Sequence, residues 1–159
     1  MILDDLLKID FTGKDVLILG KPGAGKTWVS NILAQKNPLV PNHLIISTDD
    51  YLKCHPEEEG RIDAIVEDAS FNINTIIEGC LGYLLLLEGA KRKCYKPDYV
   101  IEVEISAGKQ REIYLKERDT SKIQYLKRFQ LKCIAILDEY YKLVPESEMP
   151  IWLTLKNEW

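Results

Sequence analysis

Five short apolar runs recur along the chain, and the residues between them carry apolar positions spaced by three and four. Asp15-Val16-Leu17-Ile18-Leu19 is the first run, His43–Ser47 the second and Asn74–Gly79 the third. In the fourth, Asp98–Ser106, Ile101, Val103 and Ile105 alternate with Glu102 and Glu104; Ile151–Leu155 is the fifth. Short apolar runs of this kind predict strands, the second of them buried and the third ending at a carboxylate, whereas the alternation predicts a fourth strand that is half exposed or near a sheet edge.

Helical spacing is expected over residues 2–8, from about Lys26 to Gln35, and through Ile62, Ile65, Val66 and Ala69. It is expected again from Leu81 to about Lys91, although Gly82 and Gly89 weaken it, from about Lys109 to Arg118, and from about Ser121 to Leu143. The last of these carries a stripe of Ile123, Leu126, Gln130, Cys133, Ile134, Leu137 and Tyr141. The helix after the first run should stop at Asn37-Pro38, because the residue before a proline leaves the helical region. Strands alternating with helices imply an α/β fold of three layers, α/β/α, around a mostly parallel five-stranded sheet. With no internal repeat, 159 residues read as a single domain.

The junction between the first strand and its helix reads Gly20-Lys21-Pro22-Gly23-Ala24-Gly25-Lys26-Thr27, the phosphate-binding P-loop pattern G-x-x-x-x-G-K-T. Its glycines let backbone N–H groups turn inward onto a phosphate chain, and the helix N-terminus adds its positive end to the same anion. Lys26 should reach the β- and γ-phosphates of ATP, and the Thr27 hydroxyl should take one position on Mg2+. Residues Gly20–Thr27 and the adjoining Trp28 are the expected nucleotide contacts, in a P-loop NTPase fold.

In a parallel sheet the strands end on one side, and ligands bind there. Asp49 follows the second strand and Glu78 closes the third, so both should meet the loop around the γ-phosphate if the three strands are neighbours. Asp49 is placed to accept a proton from a phosphate acceptor and to share in the metal site, with Asp50 as the less favoured twin. Glu78 is expected to hold magnesium, directly or through water. Cations for the transferring group should come from a lid at about residues 107–128, where Arg111, Lys116, Arg118 and Lys122 lie; Arg118 is the preferred candidate, beside Asp49 and Lys26, for a catalytic role. Cys54 to Ala69, with Arg61 and Asp63, would shape the acceptor pocket.

Composition narrows the partners. A net charge of -4 with a pI near 5.3 supplies no general basic field for nucleic acid, although a local basic groove remains compatible. The four cysteines form no C-x-x-C pair, and His43 and His55 are the only histidines, so the chain has no zinc pattern. The N-terminus lacks the basic start of a signal peptide and the longest apolar run, Tyr83–Leu87, is too short to span a bilayer, so a cytoplasmic location is expected.

The P-loop, Ile46-Ser47-Thr48-Asp49-Asp50-Tyr51, Ile76-Ile77-Glu78-Gly79 and Leu115-Lys116-Glu117-Arg118-Asp119 together resemble P-loop kinases of the uridine kinase type, over about residues 14–155. In that family a strand-two aspartate is the base, a glutamate-glycine pair ends the next strand and an arginine-aspartate follows the lid helix. The D-D-Y stretch, with Gln35-Lys36-Asn37-Pro38 before it, also resembles the polynucleotide 5′-kinases and their zeta-toxin-like relatives, which carry an arginine where this chain has Leu52. The resemblance implies an ATP- and Mg2+-dependent kinase. Its acceptor hydroxyl would sit on a nucleoside or related small molecule, or alternatively on a nucleic acid, at a 5′ end or a modified base. An ATPase or motor module is the third reading. It rests on Cys133–Glu139, which mimics an apolar strand ending in Asp-Glu but continues the helical stripe of residues 121–143.

Overall fold

The computed structural model describes residues 1–35, 44–71, 74–106, 108, 109, 112 and 120–157, with side chains in the last helix described from Gln124 onward. Its elements are α1 (Leu3–Leu6), β1 (Val16–Gly20), α2 (Lys26–Gln35), β2 (Leu44–Ser47), a 3-10 turn over Thr48–Tyr51, α3 (Glu58–Ser70) and β3 (Thr75–Glu78). These are followed by α4 (Gly82–Arg92), β4 (Tyr99–Glu104), α5 (Thr120–Leu143), a second 3-10 turn over Glu146–Glu148, and β5 (Ile151–Lys156). The strand order is β2-β3-β1-β4-β5, and every pairing is parallel.

Alternation along β1 builds the three layers. Leu17 and Leu19 face a core shared with α3, α4 and α5, where Ile62, Ile65, Leu85, Leu86, Cys133, Ile136 and Tyr140 are buried. Val16 and Ile18 face the opposite core, with Leu6 of α1 and Val29 and Leu33 of α2. With helices on both faces, all five β1 residues are buried, which is why this strand reads as a continuous apolar run. Leu17 is fully buried, and truncating it to Ala would cost about 2–5 kcal/mol in lost burial and an unfilled cavity.

Two readings of the pattern are corrected. β4 lies between β1 and the edge strand β5, one strand in from the edge as the alternation allows, but it is not half exposed, since of its six residues only Glu104 is exposed. Its polar face is tolerated because Glu102 Oε2 accepts a hydrogen bond of 3.0 Å from the Trp152 indole under the helical layer, while Glu104 reaches solvent at the strand end. On α5 the buried stripe is Cys133, Ile136 and Tyr140, with Phe129 and Leu137 packed against it; Ile134 and Tyr141 are half or more exposed and Gln130 is exposed. Asp138 and Glu139 lie inside this helix and make surface ion pairs with Lys142 and Lys91, so the apparent strand ending in Asp-Glu is helical.

The two glycines of α4 mark close approach rather than weakness. A Cβ at Gly82 would stand 2.9 Å from Leu19 Cδ2, and one at Gly89 would stand 2.7 Å from the Tyr95 carbonyl oxygen. Helix propensity is given up so that α4 can lie directly on β1 and on the chain leading into β4.

Candidate functional site

The site lies where β1, β3 and β2 end side by side. The loop after β1 runs from Gly20 into the first turn of α2, with Gly23 at φ 80° and Gly25 at φ 97°, backbone conformations that glycine adopts without steric cost. Lys26 is buried, and its ammonium donates to the Gly20 and Lys21 carbonyl oxygens at 2.9 Å each. Burial pulls its pKa below the ordinary lysine value, against the fields of Cys80, Glu78 and Asp49, which favour the charged form. Those fields place the groups in one electrostatic neighbourhood. Trp28 stands half exposed on the same turn.

Glu78 is in register with Ile18 of β1 on one side and Ser47 of β2 on the other, so the parallel pairing sets it beside the loop. Its carboxylate is almost wholly buried, and Oε1 accepts a hydrogen bond from Thr27 Oγ1 at 3.3 Å. A hydroxyl and a carboxylate, both hard oxygen donors, form the set that magnesium prefers when most of its shell is water and phosphate. These two residues therefore fit the ion.

Asp49 is exposed on the 3-10 turn that follows β2, and Asp50 is exposed beside it. The turn is held from two sides. Tyr51 donates its hydroxyl to Asp68 on α3, and Thr48 Oγ1 accepts from the Leu81 amide at 3.4 Å. Gly79 has φ 134°, and a Cβ there would lie 1.9 Å from Thr48 Oγ1. The glutamate-glycine pair thus combines a buried carboxylate with the one residue type that lets Thr48 pack under Asp49.

Next to Asp49 is a cavity of about 480 Å³, whose wall includes Arg61 of α3 and Tyr125, Arg128, Phe129 and Lys132 of α5. Cys54 and Asp63 do not line it: Cys54 lies on a separate groove beside β2, and Asp63 pairs with Arg92 of α4. From the segment expected to shape this pocket, Glu58 and Arg61 do so. The larger contribution, from α5, was missed. Its signal is the spacing of Tyr125, Arg128, Phe129 and Lys132 by three and four, which puts two aromatic rings and two cations on one helical face. Arg111, Lys116 and Arg118 lie outside the described residues, as does the side chain of Lys122.

Together the all-parallel sheet, the glycine loop after β1 and the buried lysine define a P-loop NTPase fold. Residues 10–79 match the Zeta toxin family, a P-loop kinase-like family, over a stretch that is less than half of the chain but carries the loop, Asp49 and the Glu78-Gly79 pair. No curated protein matches the chain. The match fits the zeta-toxin-like part of the resemblance: over these residues the chain is similar to a P-loop kinase-like family. Among the described residues, no helix is long and apolar enough to cross a membrane.

Proposed function

We propose that the chain is an ATP-dependent kinase that transfers the γ-phosphate to a hydroxyl of a nucleoside or related small molecule. The observation that carries this reading is the side-by-side ending of β1, β3 and β2, with the loop, Glu78 and Asp49 at one rim and a cavity opening beside Asp49. Backbone N–H groups of the loop and of the first turn of α2 would bind the triphosphate, and Lys26 leaves the Gly20 and Lys21 carbonyls to neutralise its β- and γ-phosphates. Thr27 and Glu78 would hold Mg2+, which supplies charge neutralisation between the phosphates when bound. Asp49 accepts the proton of the acceptor hydroxyl as its oxygen attacks phosphorus and the bond to the ADP oxygen breaks.

The size of the cavity favours a small acceptor, and the Tyr125 and Phe129 rings in its wall, tilted 34° to each other, offer aromatic faces to a planar one. Lid residues about 107–128, Arg118 among them, would supply further positive charge to the transferring group. The experiment is to incubate the protein with γ-labelled ATP and magnesium, in separate reactions with nucleosides, nucleotide-linked small molecules and oligonucleotides. Label on a small molecule supports the proposal, label on oligonucleotides alone moves the acceptor to nucleic acid, and release to water unaffected by every acceptor overturns the kinase reading.

A further inference from the structure

The P-loop is tied to the far end of the chain by one side chain. Asn157, directly after β5, donates from Nδ2 to the Ala24 carbonyl oxygen at 2.7 Å, and its backbone N–H donates to the Glu104 carbonyl oxygen at 2.8 Å. The second bond continues the β4–β5 ladder by one residue and fixes where the side chain starts; the first spends the carboxamide on the middle of the loop. Because a carbonyl only accepts, the atom of Asn157 that faces it must be the NH2 group.

We propose that Asn157 is a positioning residue of the nucleotide site, holding the Ala24–Gly25 peptide so that the Gly25 N–H faces the phosphates. A trans peptide sets the N–H of one residue antiparallel to the carbonyl of the residue before it. Anchoring the Ala24 carbonyl outward, toward Asn157, therefore turns the Gly25 N–H to the opposite side, the concave face of the loop. Gly25 at φ 97° has the backbone freedom to let this peptide rotate, so its orientation needs an external restraint. A rotated peptide would offer an oxygen to the phosphate in place of a hydrogen.

Lys26 does not provide that restraint. Its ammonium bonds the carbonyls of Gly20 and Lys21, and a lysine that turns to a phosphate gives up both bonds. The Asn157 bond is made to a different carbonyl from a different strand, so it persists when the lysine moves. The P-loop motif contains no hint of it, since the partner lies 133 residues further along the chain.

The inference rests on nucleotide binding at the loop and not on the identity of the acceptor. Its test compares the parent with Asn157→Ala, Asn157→Asp and Asn157→Gln by calorimetric titration of ATP and magnesium without acceptor, alongside thermal unfolding and the Gly25 amide resonance in 15N spectra. Removing one such hydrogen bond should weaken ATP binding about three- to tenfold in the Ala variant. The loss should be at least as large for Asp, whose carboxylate has no hydrogen to donate, and partly recovered for Gln. The nucleotide-induced shift of Gly25 should shrink in step. ATP affinity within twofold of the parent in the Ala variant, with an unchanged Gly25 shift, overturns the proposal even if the melting temperature falls, because Asn157 would then serve only the strand end. Binding is read without an acceptor, so a parent that binds ATP but transfers nothing counts against the kinase reading alone, and the ratio of variant to parent affinity still decides the role of Asn157.

Discussion

Thr27 Oγ1 lies 3.3 Å from Glu78 Oε1, joining the last residue of the P-loop to the end of a strand 51 residues away. Two oxygen donors on separate elements are thereby held side by side. Glu78→Gln keeps the shape and removes the charge, so it should raise the magnesium concentration that half-saturates ATP binding by about 10- to 100-fold. A magnesium titration of nucleotide affinity reads this directly, and an unchanged midpoint would remove Glu78 from the ion.

Gly79→Ala should damage both stability and the site. The added methyl meets Thr48 Oγ1 at 1.9 Å in a backbone conformation, φ 134°, that side-chain-bearing residues rarely adopt. Strain and overpacking together should cost about 2–4 kcal/mol, measured by denaturant unfolding. Because Thr48 adjoins Asp49, turnover should fall further than the loss of folded protein explains. A variant as stable as the parent would mean that the turn relaxes freely.

The lysine makes a prediction about alkaline pH. Burial lowers the Lys26 pKa, so the folded state releases this proton before the unfolded state does. Between the lowered pKa and the ordinary 10.5 the unfolded chain binds more protons, and stability contributed by this group rises with pH across that window. ATP binding needs the ammonium and runs the other way. Affinity should decline as pH climbs into the same window, with proton uptake on binding that calorimetry in buffers of different ionisation enthalpy detects. Lys26→Met should abolish both the uptake and the pH dependence.

The thiols divide by environment. Cys54 and Cys94 are exposed, while burial pushes Cys133 up to about 12 and raises Cys80 as well. At pH 8, two thiols should react promptly with iodoacetamide and two slowly, since the thiolate is the nucleophile. Mass mapping of the modified peptides checks the assignment, and rapid labelling of Cys133 would show that the α5 face of the cavity opens in solution.

Most of the sheet was legible in the sequence because the buried strand β1 shows itself as an unbroken apolar run and β3 carries the Ile76-Ile77 pair at its centre. β4 misled because Glu102 looks solvent-facing until Trp152, some 50 residues away, supplies its hydrogen-bond partner. The face of α5 misled for a different reason. Apolar residues occupy more than one side of that helix, Ile134 and Tyr141 on one and Ile136 and Tyr140 on another, and periodicity cannot choose between two apolar stripes. At the site, Lys26, Asp49 and Glu78 were readable because motif and strand end fix them locally. Asn157 and the α5 wall of the cavity were not, since long-range packing alone brings them there.

The measurement that bears most directly on the proposed chemistry compares the parent with Asp49→Asn, using γ-labelled ATP, magnesium and the acceptor that takes label in the parent. The variant should bind ATP with near-parental affinity and transfer label about 10²- to 10⁴-fold more slowly, the loss typical of removing a general base. Transfer at the parental rate, with ATP binding intact, would contradict a role for Asp49 in deprotonating the acceptor and with it the proposed mechanism.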